Sequence, residues 1–269
     1  MSKRVMVIND VAGFGRCSIT CCLPILSVMD YETIIVPTAV LSSSTAYEGF
    51  VFEDYSDKMG LYMKHYDSLG LQFDAILTGF LGSEKALSHI ISYFETHPTT
   101  YRMVDPIMGD NGVLYATYTP KLVGAMRELV SYAQLITPNL TELCALCDVE
   151  YRDDFSFDEI GKMCQSLEVP SIVVSGIERD GKIINYIHTK GEEPMFYERE
   201  HCYPSRSGSG DIFSSIVLGE ILRGSSLYMS VKRAADFIFD ALKRTQELDI
   251  EPREGLAFEG LLYTLGENK

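Results

Sequence analysis

Ser207-Gly208-Ser209-Gly210-Asp211 sets two glycines, a small hydroxyl residue and a carboxylate ahead of an apolar run. Ile212, Phe213, Ile216, Val217, Gly219, Glu220 and Ile221 have helical spacing, so the glycines open a helix. Glycine lets the backbone turn tightly and bring bare N–H groups close to a ligand. A helix start adds unpaired N–H donors and about half a positive charge. Together these make an anion seat at Gly208, Ser209 and Gly210, with Asp211 at its lip. A carboxylate there repels a phosphate unless it has a task, such as taking the proton of an attacking hydroxyl. The competing structural account is a turn with Asp211 as the helix N-cap.

Other segments carry polar groups of similar interest. Asp105-Pro106-Ile107-Met108-Gly109-Asp110 leaves a strand with an acid and a rigid proline. Asp105 suits a water of a magnesium ion, which prefers a few carboxylates and keeps much of its hydration. Asp followed by Pro also simply starts a turn. In Pro138-Asn139-Leu140-Thr141-Glu142 the spacing of Asn139 and Glu142 is that of a capping box, which sequence alone favours. Such a glutamate can still face metal-bound phosphate oxygens. Cys144 and Cys147 have the spacing of half a zinc site, but no second pair or close histidine completes it. Leu143 and Leu146 interleave with them, so buried structural thiols are expected. Gly13-Phe14-Gly15, with Glu32 downstream, imitates a dinucleotide fingerprint. Against it, Asn9 to Ala12 separate the first strand from the glycines, and Ser18 replaces the third glycine. There is no Walker-type phosphate loop and no strand-to-helix G-x-S-x-G context.

These residues need elements to position them. Short Val- and Ile-rich runs at 4–8, 33–36, 75–78, 101–104, 135–137 and 171–175 read as strands. Helical patterns occupy 17–29 (interrupted by Pro24), 54–69, 83–95, 208–223 and 227–248. Residues 182–188 and 195–201 have hairpin spacing. The alternation predicts an α/β fold with a mostly parallel central sheet, helices on both faces and an antiparallel edge. No repeat or linker divides the chain, so residues 1–269 are expected to form a single domain. Ligands of such sheets collect beyond the carboxyl ends of the strands. Asn9 and Asp10, Ser42 to Thr45, Gly79 to Gly82, Asp105, Asn139 to Glu142 and Ser175 all fall there.

The composition narrows the function. The 269 residues are 46% hydrophobic and 23% charged, as in a packed globule. A formal net charge of −15 argues against nucleic acid or an anionic membrane as partner. No run reaches the about 18 apolar residues of a membrane span. The N-terminus lacks a signal-peptide core, and the seven cysteines show no disulfide framework. A cytoplasmic protein with reduced thiols is expected.

Read together, the segments resemble the ribokinase-like superfamily, and within it the pyridoxal kinases, over nearly the whole chain. Thr78-Gly79-Phe80-Leu81-Gly82-Ser83, Asp105-Pro106-Ile107-Met108-Gly109, Asn139-Leu140-Thr141-Glu142 and Gly208-Ser209-Gly210-Asp211 carry the likeness. The resemblance implies a three-layer ribokinase-like fold and ATP-dependent phosphorylation of the hydroxymethyl group of a vitamin B6 vitamer. It implies Asp211 as catalytic base and Gly208, Ser209 and Gly210 as anion hole. Asp105 and Glu142 would stand near Mg2+ and the phosphates, and Thr137, Asn139 and Ser175 would line the ATP site. Asp10, Thr45, Phe80 and Asp211 would contact the vitamer, with Phe80 or Val40 flanking its ring. Residues around Met108 to Tyr118 would form a cover. ATP and Mg2+ are the implied cofactors, with a monovalent cation such as K+ left open, and a homodimer the implied assembly. Asp10 stands where many pyridoxal kinases have a serine, and Ser42-Ser43-Ser44-Thr45 lacks a histidine often found there, so the preferred vitamer is open. A hydroxymethylpyrimidine kinase of the same fold is the first alternative. An NAD-dependent oxidoreductase and a non-catalytic ligand sensor are the others.

Overall fold

A computed structural model of the chain describes residues 2–266. The chain runs β1 (Arg4–Ala12), α1 (Ile19–Val28), β2 (Glu32–Leu41), β3 (Phe52–Asp54), α2 (Ser56–Ser68), β4 (Ala75–Thr78), α3 (Glu84–Thr96) and β5 (Tyr101–Val104). A small hairpin, β6 (Gly109–Asp110) and β7 (Val113–Leu114), precedes α4 (Pro120–Val130) and β8 (Leu135–Ile136). Then come α5 (Leu140–Cys147), α6 (Phe157–Ser166), β9 (Ser171–Arg179), β10 (Lys182–Thr189) and β11 (Met195–Glu200). Two long helices, α7 (Ser209–Arg223) and α8 (Leu227–Glu247), and two 3-10 segments complete it.

Nine strands form one sheet in the order β11-β10-β9-β8-β5-β4-β1-β2-β3. The six from β9 to β2 are parallel, as expected for buried strands joined by helices. Both edges are antiparallel, not one: β10 and β11 close one side and β3 pairs antiparallel to β2 on the other. The three exposed residues of β3 carry no apolar alternation, so periodicity could not reveal it.

Alternation along the strands feeds two cores. Met6, Ile8, Ile76, Val104 and Ile136 face a layer that holds α2 to α6. Val5, Val7, Leu77, Met103 and Leu135 face α1, α7 and α8. The result is the expected three-layer arrangement.

Several boundaries differ from expectation. β1 continues to Ala12, so Asn9 and Asp10 lie within the strand. Thr38 and Ala39 of β2 oppose the single residue Asp10, which shifts the register there. Helix α1 starts at Ile19 because Ser18 has φ 56° and ψ −139°, outside helical space. Helix α4 starts at Thr119-Pro120 and α6 at the Ser156–Glu159 capping box, two start signals that the periodic reading passed over.

Candidate active site

The sheet order reverses around β1: the chain steps from β1 to β2 on one side and returns to β4 on the other. Such a switch point leaves a crevice at the strand ends. Asn9 lies in it, fully buried. Its Oδ1 accepts the N–H groups of Asp10 at 2.9 Å and Phe80 at 2.8 Å. Gly79 must be glycine for this: a β-carbon there would stand 2.3 Å from Asn9 Nδ2.

The amide of Asn9 then points to α7. Nδ2 donates to Asp211 Oδ1 at 2.9 Å, and the Ser18 N–H donates to Asp211 Oδ2 at 2.8 Å. Asp211 is buried in the first turn of α7, whose N–H groups have no intrahelical acceptor. Burial raises its pKa, and the donors Ser18 and Asn9 work the other way. Gly208 caps the helix with φ 84°. Of the expected anion-hole residues, Ser209 already donates its N–H to Arg206 O at 3.3 Å, a long contact, and its hydroxyl to the same oxygen at 2.8 Å.

Asp10 is buried beside this pair. Its Oδ1 accepts the Ser18 hydroxyl at 2.6 Å. Burial pushes the Asp10 carboxyl up to about 6, with the Ser18 bond opposing and Asp211 adding repulsion. Ser18 therefore joins the two acids through its hydroxyl and its N–H. In the sequence Ser18 stands out only as a replacement for a fingerprint glycine; the positive φ explains why that position resembles one.

Across the crevice, Asp105 follows β5 and approaches the same helix turn, its Oδ2 3.9 Å from where a β-carbon on Gly210 would be. Burial raises the pKa of Asp105, and Asp211 raises it further. The Thr137 hydroxyl is close enough to favour the charged form, but it makes no well-formed hydrogen bond. Glu142 is buried and completes the capping box with Asn139, accepting its N–H at 2.8 Å. Its other oxygen accepts the Met108 N–H at 3.0 Å. Burial, then repulsion from Asp105, raises its pKa well above the usual range. Asn139 Nδ2 donates to Gly109 O at 2.8 Å, and the Ser175 N–H to Pro138 O at 2.9 Å. Asp105, Thr137, Asn139, Glu142 and Ser175 thus share the rim beyond β5, β8 and β9.

The expected cover is the hairpin β6–β7. Asn111 and Gly112 turn it with φ 50° and 77°, the signature of a tight Asn-Gly hairpin turn. Glu142 and Asn139 hold its base, and Thr141 Oγ1 accepts the Gly112 N–H at 2.8 Å. Of the residues expected to contact the vitamer, Phe80 is half-buried and its ring meets that of Tyr118 edge to face. Thr45 and Val40 are both exposed. Among the described residues, no hydrogen bond joins Thr45 to Asp10 or Asp211. Because β1 runs to Ala12, the gap before Gly13 closes and one objection to the dinucleotide reading falls. Against it, the Gly13 N–H donates to Leu41 O at 2.8 Å, that of Arg16 to Glu254 O at 3.0 Å and that of Ser18 to Asp211. Cys144 is buried and Cys147 donates to Met163 O at 3.5 Å, as structural thiols would.

Residues 66–255 match the phosphomethylpyrimidine kinase family. The chain belongs to that family. A phosphomethylpyrimidine kinase-like protein of Bacteroides thetaiotaomicron, crystallised with pyridoxal, is 33% identical, with a TM-score of 0.94 over 98% of this chain and 96% of that one. Pyridoxal kinase of Lactobacillus plantarum is 26% identical, with a TM-score of 0.93 over 98% and 96%. A pyridoxal kinase of Actinobacillus pleuropneumoniae is 24% identical over 89% of this chain and 88% of its own length. The fold is therefore ribokinase-like, and the protein is a small-molecule kinase with an alcohol as acceptor.

A kinase of this family implies a divalent metal. Asp105, Glu142 and Asp211 crowd one buried crevice, where Asp211 raises the pKa of Asp105 and Asp105 that of Glu142, so a cation would relieve them. Among the described residues, no three or more His, Cys, Asp or Glu side chains form a metal cage. Magnesium needs none, because it takes one or two carboxylates and completes its shell with water and phosphate oxygens. Asp105 fits as its first contact. Glu142, with both oxygens on N–H groups, fits only through water.

Proposed function

We propose that the protein transfers the γ-phosphoryl group of ATP to the hydroxymethyl group of a vitamin B6 vitamer. The observation that carries this reading is the Asp211 carboxylate, buried at the opening of α7 and held between Asn9 and Ser18. In the reaction the alcohol oxygen bonds to the γ-phosphorus, the bond to the β,γ-bridging oxygen breaks, ADP leaves, and the alcohol proton passes to Asp211. Such transfers need alignment and charge neutralisation more than covalent help. The first-turn N–H groups of α7 at Gly208 and Gly210 face the transferring group; the Ser209 N–H joins them by exchanging its long bond to Arg206. Asp105, with Glu142 behind it, would hold Mg2+, which would supply neutralisation of phosphate charge. Thr137, Asn139 and Ser175 line the nucleotide side, while Asp10, Thr45 and Phe80 line the vitamer side. The likeness to a pyridoxal-bound protein and to pyridoxal kinases supports B6 as acceptor.

The second reading is phosphorylation of a hydroxymethylpyrimidine, favoured by the family's own description. One experiment separates them: ATP and Mg2+ with pyridoxal, pyridoxine, pyridoxamine, hydroxymethylpyrimidine and its phosphate in turn, with product identified by mass. A 5'-phosphate of one B6 vitamer, formed with the greatest catalytic efficiency, supports the proposal; preference for the pyrimidines overturns it. K+ is tested as an activator in the same assay. We place the enzyme in the cytoplasm as a homodimer, the latter checked by light scattering.

A further inference from the structure

Asn9 is the point at which three chain segments meet the candidate base. Its Oδ1 is saturated by two main-chain donors, Asp10 N and Phe80 N, from β1 and from the loop after β4. This fixes which end of the amide is oxygen, so Nδ2 must be the group that faces Asp211 Oδ1 at 2.9 Å. The second carboxylate oxygen is fixed by the Ser18 N–H. Ser18 donates that N–H from φ 56°, a conformation that costs a serine free energy and persists where the surrounding structure holds it. Each carboxylate oxygen thus has a fixed donor, and the Asp211 main-chain N–H adds a further bond to the carboxylate, so it keeps room for one more proton or hydrogen bond.

We propose that Asn9 is a positioning residue for phosphoryl transfer: with the Ser18 N–H it clamps the Asp211 carboxylate and turns its remaining lone pair toward the acceptor alcohol. The role rests on Asp211 acting as the base. Asn9 itself touches neither substrate in this scheme. Phe80, bonded to the same Asn9 oxygen, ties the vitamer side of the crevice to the clamp, so acceptor ring and base keep one register.

The test is a double-mutant cycle read by steady-state kinetics and by thermal melting with and without ADP. Asn9→Ala and Asn9→Leu are each made alone and with Asp211→Ala. Either Asn9 variant is expected to turn over at least about tenfold more slowly, while the KM for ATP changes by less than about threefold and the ADP-induced melting shift is retained. In the Asp211→Ala background, the same Asn9 change should slow turnover no further, because a clamp without its carboxylate has nothing to hold. Equal fold-losses in both backgrounds would overturn the clamp, since a merely structural residue acts whether or not Asp211 is present. A separate outcome isolates the underlying reading: if Asp211→Ala alone keeps near-normal turnover, Asp211 is not the base. Should Asn9→Ala fail to fold, Asn9→Asp supplies the measurement. It keeps size but sets a second carboxylate against Asp211, so the acidic limb of the pH profile of turnover should move to higher pH. An unmoved limb overturns the proposal.

Discussion

The carbonyl oxygen of Arg16 fills the space in which a β-carbon on Gly208 would stand, 2.1 Å away. The same oxygen lies 2.7 Å from the corresponding point on Gly255. Three separate stretches of chain therefore close on one carbonyl just outside α7. Gly208 also has φ 84°, where L-residues are strained. Gly208→Ala is expected to cost at least about 1–3 kcal/mol from backbone strain alone, and the backbone clash must shift the start of α7. Thermal melting should show the loss, and turnover should fall with it. An unchanged melting temperature would contradict the close approach.

Asp211→Asn should keep the fold and nucleotide binding while turnover falls by about 10²–10⁴-fold, the usual worth of a general base. The replacement is isosteric and removes a buried charge that burial already penalises. ADP should still raise the melting temperature. Turnover near the parent level would remove Asp211 from the chemistry.

The Asp10 carboxyl gives a pH-dependent stability with a definite sign. Burial lifts it from 3.8 to about 6, so the folded chain keeps a proton that the unfolded chain releases between those values. Its contribution is fully present below 3.8 and is lost as pH rises through about 6. Asp10→Asn, which still accepts the Ser18 hydroxyl, should therefore stabilise the nucleotide-free protein at pH 8 by up to about 2–3 kcal/mol. Near pH 4 the gain should vanish. Chemical denaturation at both pH values checks it; an equal effect at each would point to packing instead.

Metal removal should separate chemistry from stability. Magnesium takes few protein carboxylates, so a divalent ion is expected to enter with the nucleotide. Chelation should stop turnover and leave the melting temperature of the nucleotide-free protein unchanged. A large fall on chelation would instead reveal a structural metal.

Much of this architecture is legible in the sequence. The alternating strands and helices, the late hairpin and the helix opening at Gly208 are all readable from apolar period and glycine placement. So is the capping box of Asn139 and Glu142, since both partners lie within one helical turn. The small hairpin β6–β7 carries a local signal too, Asn111-Gly112, but its two-residue strands are too short for periodicity to register. Edge strand β3, three exposed residues long, has no such signal.

Local rules thus determined which segments form elements and which residue types stand at their ends, because hydrogen bonds within a turn and the period of side chains need only near neighbours. The tertiary fold alone decided that Asn9, Ser18 and Asp211, up to 202 residues apart, share one set of hydrogen bonds. Such contacts arise from strand order and register, and the sequence of any one segment holds no record of which distant donor will face its carboxylate.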